Sequence, residues 1–167
     1  MEPLKHTLIA LVEDKPGVLD RVSSMIRRRG YNISSLAVGH SELPDMSRMT
    51  FVVEGDDDTV EQVAKQLRKL INVIKVTDIS KEDMVTRELG LIRVKADTTT
   101  RSEIIQIVDI FRANIVDVAP DSLIIEVVGD EEKIESLCKL LQPFGVKEMI
   151  RTGNVAMSRG MSALEER

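Results

Sequence analysis

A chain of 167 residues, 43% apolar and 31% charged, has room for one large domain or two small ones and is too apolar to be disordered. Its net charge of −5 leaves neither half basic: residues 1–80 carry 11 basic and 12 acidic side chains and residues 81–167 carry 12 and 16, which argues against nucleic acid as a partner. No apolar run approaches the ~20 residues that span a bilayer, no basic-then-apolar leader opens the chain, and the lone Cys138 rules out a disulfide framework, so the expectations are a cytoplasmic location and no membrane.

Lys5–Glu13 reads as a strand. The run Glu13-Asp14-Lys15-Pro16-Gly17-Val18-Leu19 turns it into a helix over Val18–Arg29, with Val18, Leu19, Val22, Met25 and Ile26 on one apolar face. Arg27, Arg28 and Arg29 complement the dipole in its last turn, and Gly30 stops it. Asn32–His40 is a second strand, followed by a polar turn through Glu42, Pro44 and Asp45 and a third strand, Arg48–Glu54. Asp56–Asp58 open a helix striped by Val60, Val63, Ala64, Leu67 and Leu70; Asn72 stops it before the strand Val73–Ile79.

Ser80–Thr86 is polar and aperiodic, and after it the order repeats. Arg87–Ala96 is a strand. Arg101–Ala113 is a helix with Ile104, Ile107, Val108 and Phe111 inward and Thr100 favoured as its cap. Ile115–Val118 and Ser122–Val128 are strands, Asp130–Gln142 is a helix buried through Ile134, Leu137, Cys138 and Leu141, and Val146–Arg151 is the last strand. The tail Thr152–Arg167 shows no element. The fold class is therefore α+β, two tandem ferredoxin-like βαββαβ domains: residues 1–80, a linker at 81–86, and 87–167 with the tail.

Sheet order 4-1-3-2 places the second and fourth strands at the edges. Val73–Ile79 carries Lys75 and Asp78, but Ile33–Gly39 has neither charge nor proline, so it lacks the usual protection of an edge. Pairing of the second strand with its copy across a two-fold axis is expected, giving a homodimer with an eight-stranded sheet. That pairing would bring Asn32 and Ile33 of one chain near the Asp14–Val18 turn of the other; a covered edge without a ligand is the alternative.

The candidate site is that turn. Pro16 presets φ, Gly17 admits close approach to the backbone, and the unpaired N–H groups at the helix start form an anion site. Asp14 either caps the helix or grips an ammonium group. Donors for a carboxylate and an acid for an amine suit an amino acid; an ordinary helix-start turn explains the same residues. Other features read as structural. His6 and His40 share no metal-ligand spacing, Asp56-Asp57-Asp58 is a helix start, and Lys15 stands where a phosphate-cradling hydrolase of this topology needs an arginine.

A βαββαβ unit with Asp-x-Pro-Gly-Val-Leu (Asp14–Leu19) after its first strand resembles the ACT domain, an amino-acid-sensing module. Arg29-Gly30-Tyr31-Asn32-Ile33-Ser34-Ser35-Leu36, Leu43-Pro44-Asp45-Met46-Ser47-Arg48-Met49-Thr50, Arg151-Thr152-Gly153 and Ser158-Arg159-Gly160 together resemble the regulatory small subunit of acetohydroxyacid synthase. The resemblance implies a non-catalytic chain that activates a thiamine-diphosphate-dependent large subunit and confers feedback inhibition by valine in branched-chain amino-acid synthesis. It implies no cofactor on this chain; thiamine diphosphate, magnesium and FAD belong to the partner. It assigns effector binding to Asp14, Lys15, Pro16, Gly17 and Val18 of one chain with Asn32 and Ile33 of its neighbour, with asparagine often standing where this chain has Asp14. A freestanding ACT-domain sensor serving another amino-acid enzyme is the alternative.

Overall fold

A strand that is apolar on both faces has to be covered twice, and β1 (Lys5–Glu13) is such a strand. In the computed structural model, which describes residues 4–160, its Leu8, Ala10 and Val12 face two helices. Helix α1 (Val18–Arg29) contributes Val18, Val22 and Met25, spaced i, i+4, i+7, and α2 (Asp57–Arg68) contributes Val60, Val63, Ala64 and Leu67. Strands β2 (Asn32–His40), β3 (Met46–Glu54) and β4 (Val73–Asp78) complete an antiparallel sheet of order β2-β3-β1-β4, with β2 and β4 at its edges as the sequence implies. Leu19 departs from the expected apolar face: it lies one step around α1 from Val18 and is 49% exposed.

The second unit repeats the plan. Strands β5 (Met84–Lys95), β6 (Asn114–Val118), β7 (Ser122–Gly129) and β8 (Val146–Arg151) run in the order β6-β7-β5-β8. Helices α3 (Arg101–Ile110) and α4 (Glu131–Leu141) bury Ile104, Val108, Ile134, Leu137 and Leu141 against Ile92, Val94, Leu123 and Ile125. A 3-10 turn at Gln142–Phe144 leads from α4 to β8. Cys138 is only half-buried, its Sγ 3.7 Å from Met149 Sδ.

Two boundaries depart from the sequence reading. Strand β5 starts at Met84, inside the expected linker, and the tail forms a further strand, β9 (Val155–Ser158), which pairs with β5. The chain divides into residues up to Val85 with the tail from Asn154, and Thr86–Gly153. The tail therefore belongs to the first unit, where Ala156 packs with Ile9 and Ile79 on the sheet face turned away from the helices. Four residues whose two inward side chains, Ala156 and Ser158, are small and only half apolar give too weak a signal to be recognised as a strand. Among the described residues, no helix is long and apolar enough to cross a membrane.

Helix starts are handled by aspartates. Asp56 accepts from the Thr59 N–H at 2.8 Å and Asp130 from the Lys133 N–H at 2.9 Å. Thr100 is the N-cap position of α3 but makes no side-chain cap bond; Asp97 organises that turn instead, accepting from the N–H groups of Thr99 (2.8 Å) and Thr100 (3.0 Å) and from the Thr99 hydroxyl (2.6 Å). These bonds, the Thr99 hydroxyl first, lower the Asp97 pKa from 3.8 to about 2. In β5, Glu88 is buried with its side chain 3% exposed, and Arg151 of β8 donates to it at 2.5 Å while remaining 31% exposed itself. That bond raises the Arg151 pKa further.

A depressed carboxylate stabilises the fold above its unfolded pKa and loses that contribution as pH falls through the folded value. Melting temperature between pH 5 and pH 2 should therefore fall more steeply for the wild type than for Asp97→Asn, which cannot titrate. Arg151→Met leaves the Glu88 charge buried and unpaired. It should cost about 2–3 kcal/mol of second-unit stability in urea denaturation, the low end for a buried pair because Arg151 is partly solvated.

Candidate functional site

The β1–α1 connection is built around one left-handed residue. Gly17 has φ 83° and ψ −7° and is the N-cap residue of α1. A side chain there would be strained although nothing lies within 4 Å of its Cβ position. The Val18 N–H donates to the Lys15 carbonyl at 3.3 Å, and the Arg21 N–H to the Gly17 carbonyl at 3.0 Å, which starts the helix. The N-cap glycine brings no side chain to cap α1, unlike Asp56 of α2 and Asp130 of α4, and no other side chain among the described residues does so. The first-turn amides of Leu19 and Asp20 are thus left as open donors at the positive end of the dipole.

Asp14 does not cap the helix. Its N–H donates to the Asp45 carbonyl at 2.8 Å, and its exposed carboxylate lies 3.2 Å from His40 Nδ1 at the end of β2. Lys15 pairs with Glu13 at 3.0 Å; Glu13 also accepts from Asn72 Nδ2 at 2.6 Å, and Asn72 accepts from Arg21. The Asn72 amide, with Lys15, holds the Glu13 carboxyl below the usual carboxylate range. Pro16 is exposed in the turn, and the Val18 side chain is buried in the core, so Val18 offers a ligand only its backbone.

Asn32 and Ile33 lie elsewhere. Register places Glu13 opposite Met46 and Asn32 opposite Glu54, at the two ends of β3, about 27 Å apart by the strand rise. The Asn32 amide donates to Glu54. A bulge between Ile33 and Ser35 lets both Ile33 and Leu36 turn toward the core, which plain alternation would forbid. Between α1 and β2 runs a groove of about 320 Å³ lined by Ser23, Ile26, Arg27, Ile33 and Leu36. One chain therefore holds the two halves of the expected site apart.

Sequence reasoning missed His40, which it treated as a surface or core residue. Its signal was positional: the last residue of β2 pairs with Ser47, one step from the Met46 that faces Glu13. Among the described residues no group of three or more His, Cys, Asp or Glu side chains is arranged to hold a metal.

Two family profiles match the chain, one described as the AHAS small subunit-like ACT domain over residues 8–75 and one as the small subunit of acetolactate synthase over residues 87–160. The acetolactate synthase small subunit of Mycobacterium bovis is 53% identical over 160 residues, covering 96% of this chain and 95% of the relative. A probable acetolactate synthase small subunit of Archaeoglobus fulgidus is 59% identical over 157 residues, covering 94% and 98%. The chain belongs to the acetolactate synthase small-subunit family. The crystal structure of the acetolactate synthase small subunit from Thermotoga maritima superposes with a TM-score of 0.88 at 44% identity, covering 95% of this chain and 99% of that one.

In this small subunit the motif residues have definite tasks. Arg151 neutralises Glu88, and Thr152 exchanges two bonds with Leu89, its hydroxyl accepting at 3.0 Å and its N–H donating at 3.1 Å. Ser158 donates to Glu82, and Arg159 pairs with Asp83 at 3.3 Å. Gly17→Ala should cost about 1 kcal/mol in chemical denaturation, because only the left-handed backbone resists it; a much larger loss would mean the turn is also sterically closed.

Proposed function

We propose that this chain is the regulatory subunit of acetohydroxyacid synthase, working in the cytoplasm, where it activates the thiamine-diphosphate-dependent large subunit and makes it sensitive to valine. Thiamine diphosphate, magnesium and FAD are assigned to that large subunit. Family membership supports the assembly. The observation that carries the effector site is the contact of His40, at the end of the bare edge strand, with Asp14 of the turn.

Antiparallel pairing of β2 with its copy, centred near Leu36, sets Asn32 of one chain opposite His40 of the other. Asn32 and Ile33 then enter beside Asp14, and the two half-sites separated in one chain meet across the two-fold axis. The open amides of Leu19 and Asp20, beside Gly17, receive the valine carboxylate; Asp14 orients the ammonium; the exposed Leu19 flanks the isopropyl group, and Ile33, turned toward its own core, enters through its backbone and the exposed part of its side chain. Lys15 balances Glu13, and Pro16 and Val18 fix the turn. Valine bound between two chains shifts whichever pairing binds it more tightly, and that differential is what reaches the large subunit.

Titration calorimetry of the dimeric chain should show saturable valine binding that Asn32→Ala abolishes. In the reconstituted complex, Asn32→Ala and Gly17→Asp should each relieve valine inhibition while activation persists. Unchanged inhibition in both variants would remove the site. A folded dimer that neither binds nor activates the large subunit would favour a freestanding sensor.

A further inference from the structure

The sheet face turned away from α1 and α2 carries a cleft of about 420 Å³ within the first unit, a size typical of small-molecule sites. Its floor is Ile9 and Leu11 of β1, and Ile74 and Leu43 stand at its lip, 56% and 46% exposed. Register explains its charge. Leu11 pairs with Lys75 on one side and Arg48 on the other, so two cations flank one apolar residue across three strands, with Cα atoms about 10 Å apart. Arg48 donates from Nη2 to the Ala156 carbonyl at 2.9 Å and forms no ion pair among the described residues, so most of its fork is unengaged.

Thr77 also lines the cleft, and its Oγ1 is buried without a hydrogen-bond partner among the described residues. Buried hydroxyls are rarely left so. Glu42 at the rim disfavours a dianion. We propose that this cleft is a second small-molecule site, separate from the α1 turn, which binds a short aliphatic monocarboxylate. Its head group lies between Arg48 and Lys75, with Thr77 as a further donor, and its tail rests on Ile9, Leu11 and Ile74. The site lies wholly within one chain and does not depend on the dimer or on valine.

The full chain, labelled at Ile, Leu and Thr methyls and at backbone amides, would be titrated with 3-methylbutanoate and followed by NMR. Saturating shifts are expected at Ile9, Leu11 and Thr77, with the Gly17 and Leu19 amides unmoved. Ile74→Trp, which fills the cleft from its exposed lip, should weaken binding about tenfold or more. Thr77→Val should weaken binding while leaving the melting temperature unchanged or higher, since it removes an unpaired hydroxyl. Absence of cleft shifts, shifts undiminished in both variants, or equal shifts from inorganic phosphate would overturn the proposal. Shifts confined to the turn amides would overturn it too while leaving the effector reading intact.

Discussion

Strand β1 lies at the centre of its sheet with apolar residues on both faces, and the first unit is arranged around covering them. Helices α1 and α2 cover Leu8, Ala10 and Val12, while Ile79 and Ala156 cover Ile9 from the other side. Strand β1 is bonded along both edges, to β3 as far as Glu13 and to β4 as far as Val12. The turn that follows is bonded at Asp14 and Val18, which gives the open amides of α1 a defined direction. Preorganisation of this kind lowers the ordering cost of binding.

The opposite edge of the sheet has a different character. Strand β2 has one bonded neighbour, a bulge that tips two apolar residues inward, and an unprotected outer rim. In the proposed site, the well-covered centre is the fixed half and the bare edge is the half whose position depends on pairing. Under the proposed pairing, a ligand held between the two would sense quaternary arrangement directly, with no long chain of internal rearrangements. The network of Lys15, Glu13, Asn72 and Arg21 anchors the turn to the α2–β4 connection.

Element order and sheet order were legible because they rest on periodicity, which survives small errors at boundaries. The Asp-x-Pro-Gly turn was legible because Gly17 needs a positive φ. Other parts were not. Asp14 and Asp97 both precede helices, and spacing alone does not tell which one caps: Asp97 organises its turn, while Asp14 is drawn toward His40 by a strand 26 residues away in sequence. Leu19 matched the apolar stripe by hydropathy, yet the rotation of α1 was set by how Val18, Val22 and Met25 seat on the sheet. Strand β9 was invisible because its partners lie far upstream and its inward residues are the small Ala156 and Ser158. Local patterns fail where a distant strand decides.

The return of the tail has a consequence for how the molecule is made. Asn154 donates to Ser35 across 119 positions, and Arg48 reaches Ala156 across 108. During synthesis from the N-terminus, β1 through β4 emerge first, with one sheet face still bare around Ile9. The second unit, continuous from Thr86 to Gly153, has all of its strands before the first unit receives its last one. The first unit to be synthesised is thus the last to be completed. Contacts of such long sequence separation slow folding, and the waiting apolar face is where a holding chaperone would find its purchase.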